Sequence, residues 1–173
     1  AGFPAVFGPT STAIAAAEPG GVNVSKDVLQ AYVTMIHNDM LSIDVGKFVT
    51  HMGAEVIETK DNLNYSHGLL FTFAIPFYHA GIRTNWKWND SLTGMVELTN
   101  GWNNQVDNNR SKSIGTTVSW TPRKDWGATV NWISGSNDPG AAGSVFEVIS
   151  WYQPNSSWLF KGIYDSGYNT TGV

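Results

Sequence analysis

The chain has 173 residues, a length that fits one domain, and it contains no cysteine, which excludes disulfide frameworks, cysteine zinc sites and thiol nucleophiles. Its formal net charge is −4, and the absence of any basic run or basic helix face excludes nucleic acid as a partner. Charged residues make up only 14 %, against an average of about 25 %, while eight Trp, eight Phe and six Tyr accompany many Gly, Asn, Ser and Thr, a balance that reads as all-β with many turns.

Residues 1–26 are rich in Ala, Gly and Pro, carry no period, and read as an extended or loop segment. They lack the basic n-region of a signal peptide, so the chain reads as mature or as a fragment. From Asp27 onward, stretches of roughly ten residues alternate apolar and polar, the length of a tilted membrane strand. Strands are expected at 28–36, 41–50, 78–88, 92–100, 113–120, 126–133, 145–152 and 158–165. In 78–88, Ala80, Ile82, Thr84, Trp86 and Trp88 fall on one face, and His79, Gly81, Arg83, Asn85 and Lys87 on the other. The run 92–100 repeats this with Leu92, Gly94, Val96 and Leu98 opposite Thr93, Met95, Glu97 and Thr99. Two strands read less cleanly. In 41–50, Lys47 shares the parity of Leu41, Ile43 and Val45, which a membrane strand tolerates only near an interface, and in 145–152 both faces are bulky and Glu147 alone marks the wet side.

The connections alternate in length. Short turns are expected at Asn38-Asp39, Asn89-Asp90, Arg123-Lys124-Asp125 and Asn155-Ser156-Ser157, with Thr121-Pro122 and Gln153-Pro154 ending the strands before two of them. Long connections are expected at 51–77, 101–111 and 135–144. Short turns at one end and long loops at the other are the pattern of membrane barrels. No apolar run reaches the length of a membrane helix, about 20 residues. Trp86, Trp88, Trp120, Trp126, Trp132 and Trp158 then read as an aromatic girdle.

The stretch Gly46-Lys47-Phe48-Val49-Thr50-His51-Met52-Gly53-Ala54-Glu55-Val56-Ile57 resembles a segment of the OmpL-like outer-membrane β-barrel porins (porin type 2). Asn64-Tyr65-Ser66, then Ala74-Ile75-Pro76-Phe77-Tyr78-His79-Ala80-Gly81-Ile82-Arg83, then Asn100-Gly101-Trp102-Asn103 with Asp107-Asn108-Asn109 and Lys112, resemble the segments that follow, so the resemblance spans about 27 to 165. It implies an outer-membrane barrel with a porin-like role in a Gram-negative bacterium, and no catalytic residues. Members of that family are usually much longer, and no aromatic residue closes the chain at Thr171-Gly172-Val173. The expectation is therefore an antiparallel transmembrane β-barrel with about eight strands in this chain, 27–173, as part of a larger barrel.

The functional expectation is a channel for passive diffusion of small hydrophilic solutes or ions, in contact with outer-membrane lipid, with homo-oligomers left open. Arg83, Lys87, Glu97, Glu147, Lys161 and Asp165 are the candidate pore-lining charges, their mixed signs implying weak selectivity. The bland reading is that they pair with one another and hold the structure together. The connection 51–77 is polar and acidic at first, with Glu55, Glu58 and Asp61, and apolar at its end, Leu69 to Ile75, so it is a candidate constriction loop; an extra strand or an outward-packing segment is the equal alternative. His37, His51, His67 and His79 show no HxxxH or HxH spacing, so no metal site is expected. The Asn- and Asp-rich stretches at 103–109 and 137–138 lack EF-hand order and read as solvated loops. Ser134-Gly135-Ser136 makes no nucleophile elbow, and no enzyme and no cofactor are expected. Two other functions remain open: a non-conducting structural outer-membrane barrel that anchors a partner, and a soluble carbohydrate-binding β-domain with Trp102 and Trp132 as its stacking platform.

Overall fold

The structure, a computed structural model, describes residues 28–107, 110–138 and 141–170. The expected extended segment 1–26 lies outside the described residues. Eight strands follow one another: β1 (Ala31–Asn38), β2 (Leu41–Val49), β3 (Tyr78–Asn89), β4 (Leu92–Thr99), β5 (Ser113–Arg123), β6 (Trp126–Asp138), β7 (Ala141–Asn155) and β8 (Trp158–Thr170). Each pairs antiparallel with the next, giving one sheet in the order β1 to β8. Between β2 and β3 the chain makes a single 3-10 turn, Thr59–Asp61, and a five-residue helix, α1 (Leu69–Phe73).

The sheet is open: β1 and β8 are its two ends and do not pair with each other. This corrects the expected transmembrane β-barrel. An open sheet encloses no lumen, so the expected channel for passive diffusion of solutes or ions is corrected with it. The physical reason lies on the polar face. An eight-stranded barrel has an interior just wide enough for its own side chains. Here the segment 50–77 lies against that face, and it includes a helix whose type is about 10–12 Å across with side chains. Alternation and loop spacing specify strands and their order, and they carry no information on closure.

The register sorts the side chains into two faces, because residues directly opposite on a ladder point the same way. One face is apolar. Across it run Val33, Val45, Ile82, Leu98, Ile114 and Ser134, and, two rows nearer the short turns, Val118 stands between Gly94 and Val130, which in turn opposes Val148. These side chains are largely bare; Val118 is 45 % exposed. The only cations of the described strands at that parity lie at strand ends, Lys47 and Arg123. Lys47 turns back at the long-loop end, donating to the Val28 carbonyl at 2.6 Å with its Nζ 4.3 Å from the centre of the Tyr78 ring.

The other face carries Asp44, His79, Arg83, Glu97, Asn131, Glu147 and Asp165, and the segment 50–77 roofs it. Met52, Phe71 and Ile75 of the roof pack on Ile133 and Val145 of the sheet to form the buried core. That packing explains why 145–152 shows bulky residues on both sides: Val145 and Ile149 meet protein on the face that alternation alone assigns to water. Gly53 sits at φ +100°, a conformation open to glycine, and its missing Cβ leaves room for Ile75.

Two details of the strand ends differ from expectation. Pro122 and Pro154 do not end their strands; β5 and β7 continue past them through register shifts between Trp120 and Arg123 and between Tyr152 and Asn155. Proline has no N–H for the ladder, and a bulge accommodates that defect. The expected long connection 135–144 is instead mostly strand, with Ser136 paired to Ala142 and Asp138 to Ala141. Small Gly, Ser and Ala residues hide strand character from a reading based on hydrophobic alternation.

Candidate functional site

The polar face holds three groups of side chains, each placed by the register of neighbouring strands. The first lies at β2–β3. Asp44 stands directly across from Arg83, and the guanidinium binds one carboxylate oxygen through Nε at 3.0 Å and through its terminal nitrogen at 2.9 Å. Asn85 donates to the same oxygen at 2.9 Å, and Thr34 of β1 donates to the other at 2.7 Å. Arg83 also lies over the Phe48 ring, 4.3 Å from its centre. Each charge thus has its counter-charge, and both Asp44 oxygens are hydrogen-bonded, which helps keep the ion pair out of water.

The second group lies at β6–β8. Glu147 is buried and accepts the Gly53 N–H on both carboxylate oxygens at 2.9 Å, so it fastens the roof to the sheet. Asn131 donates to it at 2.6 Å and in turn accepts from Thr117 at 2.7 Å. Asp165 stands directly across from Glu147, with both carboxylate oxygens shielded and without a hydrogen-bond partner. Lys161 donates to the Ala54 carbonyl of the roof. Between the roof and β7–β8 runs a cavity of about 800 Å³, lined by Leu69, Phe71, Ile75, Trp151, Lys161 and Asp165 among others.

The third group lies at β3–β5. His51, from the start of the roof, has its Nδ1 3.2 Å from Glu97 Oε1, and His79 Nε2 is 3.7 Å from the same oxygen. All three side chains are buried. Glycine at position 115 makes the space: a Cβ there would lie 2.6 Å from the His51 ring and 2.7 Å from the Glu97 carboxylate.

The candidate pore-lining residues therefore separate. Arg83, Glu97, Glu147, Lys161 and Asp165 share the roofed face, in three different clusters, and Lys87 sits at the β3–β4 turn bound to Asp90 at 2.7 Å. Of the candidate constriction residues, Glu55 accepts the Gly68 N–H at 2.9 Å, Asp61 pairs with Lys60 at 2.9 Å, and Glu58 is exposed. Asn103, at φ +54°, accepts the Phe77 and Tyr78 N–H groups at 2.7 and 3.2 Å and ties the start of β3 to the next loop.

Six of the eight tryptophans lie on the apolar side, while Trp102 and Trp151 lie on the roofed side. Trp86, Trp88, Trp120 and Trp126 lie toward the short turns, with Trp120 and Trp126 edge to face at 5.3 Å. Trp158 stacks on Phe160 at 6.0 Å beside the last short turn, and Trp132 lies further along the sheet, donating to Ser144 Oγ at 3.0 Å. Trp102 packs against the roof core, on the opposite side of the sheet from Trp132, so the two form no common stacking platform.

Sequence reasoning missed Asp44 and the meeting of His51 with His79. Asp44 has the parity opposite to Ile43 and Val45, a signal that was available. The histidines come from a loop and a strand, 28 positions apart, and no spacing rule for one helix or one strand reaches that far.

A family model described as beta-barrel porin-2, OmpL-like, matches residues 1–172. No curated protein and no solved structure matches the chain.

Proposed function

The chain belongs to the OmpL-like β-barrel porin-2 family, and from that premise we propose that it is a non-conducting structural element of the bacterial outer membrane that anchors a partner chain. Porins are transport proteins without catalysis, and the chain is not an enzyme. The observation that carries the proposal is the apolar face. Monomeric soluble proteins rarely expose contiguous apolar patches beyond a few hundred Å². Here one face of a whole eight-stranded sheet is apolar and bare, with its cations at strand ends alone among the described residues. Acyl chains are the environment such a face fits. The Trp cluster beside the short turns supports the reading, since indole rings favour the membrane–water interface. No helix among the described residues is long and apolar enough to cross a membrane, which leaves strands as the means of insertion.

Anchoring follows from the edges. β1 and β8 each have one side unpaired with any described strand. In hydrocarbon an unpaired N–H or C=O costs several kcal/mol. A partner that adds strands to those edges removes that cost. The test is reconstitution of the purified chain into lipid vesicles, followed by flotation and planar-bilayer recording. The expected result is detergent dependence, co-flotation with lipid and no discrete current steps. A chain that stays monodisperse without detergent, or one that gives ohmic steps by itself, overturns the proposal.

A further inference from the structure

We propose that His51, His79 and Glu97 form a binding site for a divalent transition metal ion, with zinc as the best-fitting cation. The argument begins with lone pairs. His79 Nδ1 lies 3.1 Å from the Gly101 carbonyl and His51 Nε2 lies 3.3 Å from the Trp132 carbonyl. A carbonyl oxygen only accepts, so those two ring nitrogens carry the protons. In the neutral rings the other nitrogens, His79 Nε2 and His51 Nδ1, are then bare lone pairs. Both face Glu97, whose carboxylate also only accepts.

Acceptors therefore converge from two strands and a loop with almost no hydrogen among them. The Thr50 hydroxyl, 3.2 Å from His79 Nε2, supplies one. His51 Nδ1 and both Glu97 oxygens are shielded from solvent and have no aligned hydrogen-bond partner. Buried polar atoms without partners are rare and call for an explanation such as a bound ion. The ligand atoms of the three residues all lie within 4.8 Å of one another. Nitrogen and oxygen ligands about 2.0–2.2 Å from zinc stand roughly 3.3–3.5 Å apart at the tetrahedral angle. The observed separations from Glu97 Oε1, 3.2 and 3.7 Å, bracket that range. Two imidazoles and one carboxylate are a donor set that zinc accepts with a further position open. The carbonyl bonds to the remote ring nitrogens are the second shell that metal-bound histidines usually have, and they hold both rings in the liganding tautomer. Gly115 completes the arrangement, because a side chain there would fill the space between the His51 ring and Glu97.

The test uses the full chain in detergent, stripped with a chelator, titrated with Zn²⁺ by calorimetry and with Co²⁺ by visible absorption. The expected result is one ion per chain and the d–d bands of low-coordinate cobalt. His51→Asn and Glu97→Gln each weaken Zn²⁺ binding by at least about 10-fold, the lower bound for disturbing even an outer-shell partner. His51 lies in a connection rather than a strand, so its variant leaves the ladders intact, and near-ultraviolet circular dichroism verifies this. The double variant His37→Asn/His67→Asn, which removes histidines outside the cluster, binds as the parent does. Absence of stoichiometric binding by the parent overturns the site, as does binding that the double variant loses and the cluster variants keep.

Discussion

The two faces of this sheet are built from the same strands and live under opposite rules. On the apolar face, the middle of each strand alternates regularly, large side chains such as Val118 and Ile82 stay exposed, and the face has no roof like that of the other side among the described residues. On the polar face Asp44, Arg83, Asn131, Glu147 and Lys161 are matched to specific partners, and the roof 50–77 supplies the Gly53 N–H to Glu147 and the Ala54 carbonyl to Lys161. Composition governs the first face and geometry the second. Substitutions therefore have different consequences on each, and the contrast can be broken in measurable ways.

The largest effect is expected at the roof. Phe71 is buried between the roof and the sheet and packs on His67, 4.1 Å between ring centres, and on Phe77 at 5.3 Å. Phe71→Ala leaves a cavity in the only buried apolar cluster found among the described residues, at a cost of about 3–5 kcal/mol. A denaturant titration followed by tryptophan fluorescence measures it. A loss below about 1 kcal/mol would mean that the roof is not docked, and the difference between the faces would collapse. Next comes Val118→Arg on the bare face. If acyl chains cover Val118, an arginine there costs about 2–4 kcal/mol and lowers the folded fraction in vesicles. Thr93→Arg, on the exposed end of the polar face, leaves that fraction unchanged. Equal behaviour of the two variants would make the faces equivalent and remove the lipid assignment.

The contrast also explains how much the sequence discloses. The strands are legible because alternation has a period of two and the sheet keeps it, as Ile82/Arg83 and Leu98/Glu97 show on adjoining strands. The order of the strands is legible from the turns, since Asn89-Asp90 and Lys124-Asp125 leave room only for adjacent antiparallel neighbours. Closure is not legible. Whether β8 meets β1 depends on what occupies the polar face, and Met52, Phe71 and Ile75 reach that face through a connection without a period. The site charges were half legible. Parity places Arg83, Glu97, Glu147 and Asp165 on one side, but partners such as Asp44 for Arg83, or the Gly53 N–H for Glu147, depend on register and on the fold of the roof. His51 and His79 lie furthest from view, because a loop and two strands bring them to Glu97.

A smaller effect, of opposite sign, is expected at Asp165. Its two carboxylate oxygens have no partner and face Glu147 across the β7–β8 ladder. Asp165→Asn removes one of two like charges and offers an amide donor to the other, so it stabilises the chain by about 1 kcal/mol, the usual net worth of a hydrogen bond. A denaturation midpoint that falls instead would mean that Asp165 already has a cationic partner, and Lys161 of the same strand face would be the first to examine.

The smallest effect is expected where the polar face runs out. Lys87 has the same parity as Arg83, one strand turn nearer the end, yet its ammonium bonds Asp90 at 2.7 Å in an exposed turn, with Asp90 almost wholly in solvent. An exposed pair gains little because water screens the charges and both side chains lose freedom on pairing. Lys87→Ala should leave the denaturation midpoint where it is, at low salt and at high salt alike, while Arg83→Ala lowers it by stranding the Asp44 carboxylate among Thr34 and Asn85. If the two substitutions act alike, parity alone would set the role of a charge on this sheet. If they differ as expected, the role is set by burial, and the polar face is a structural interior only as far as its roof and its neighbours reach.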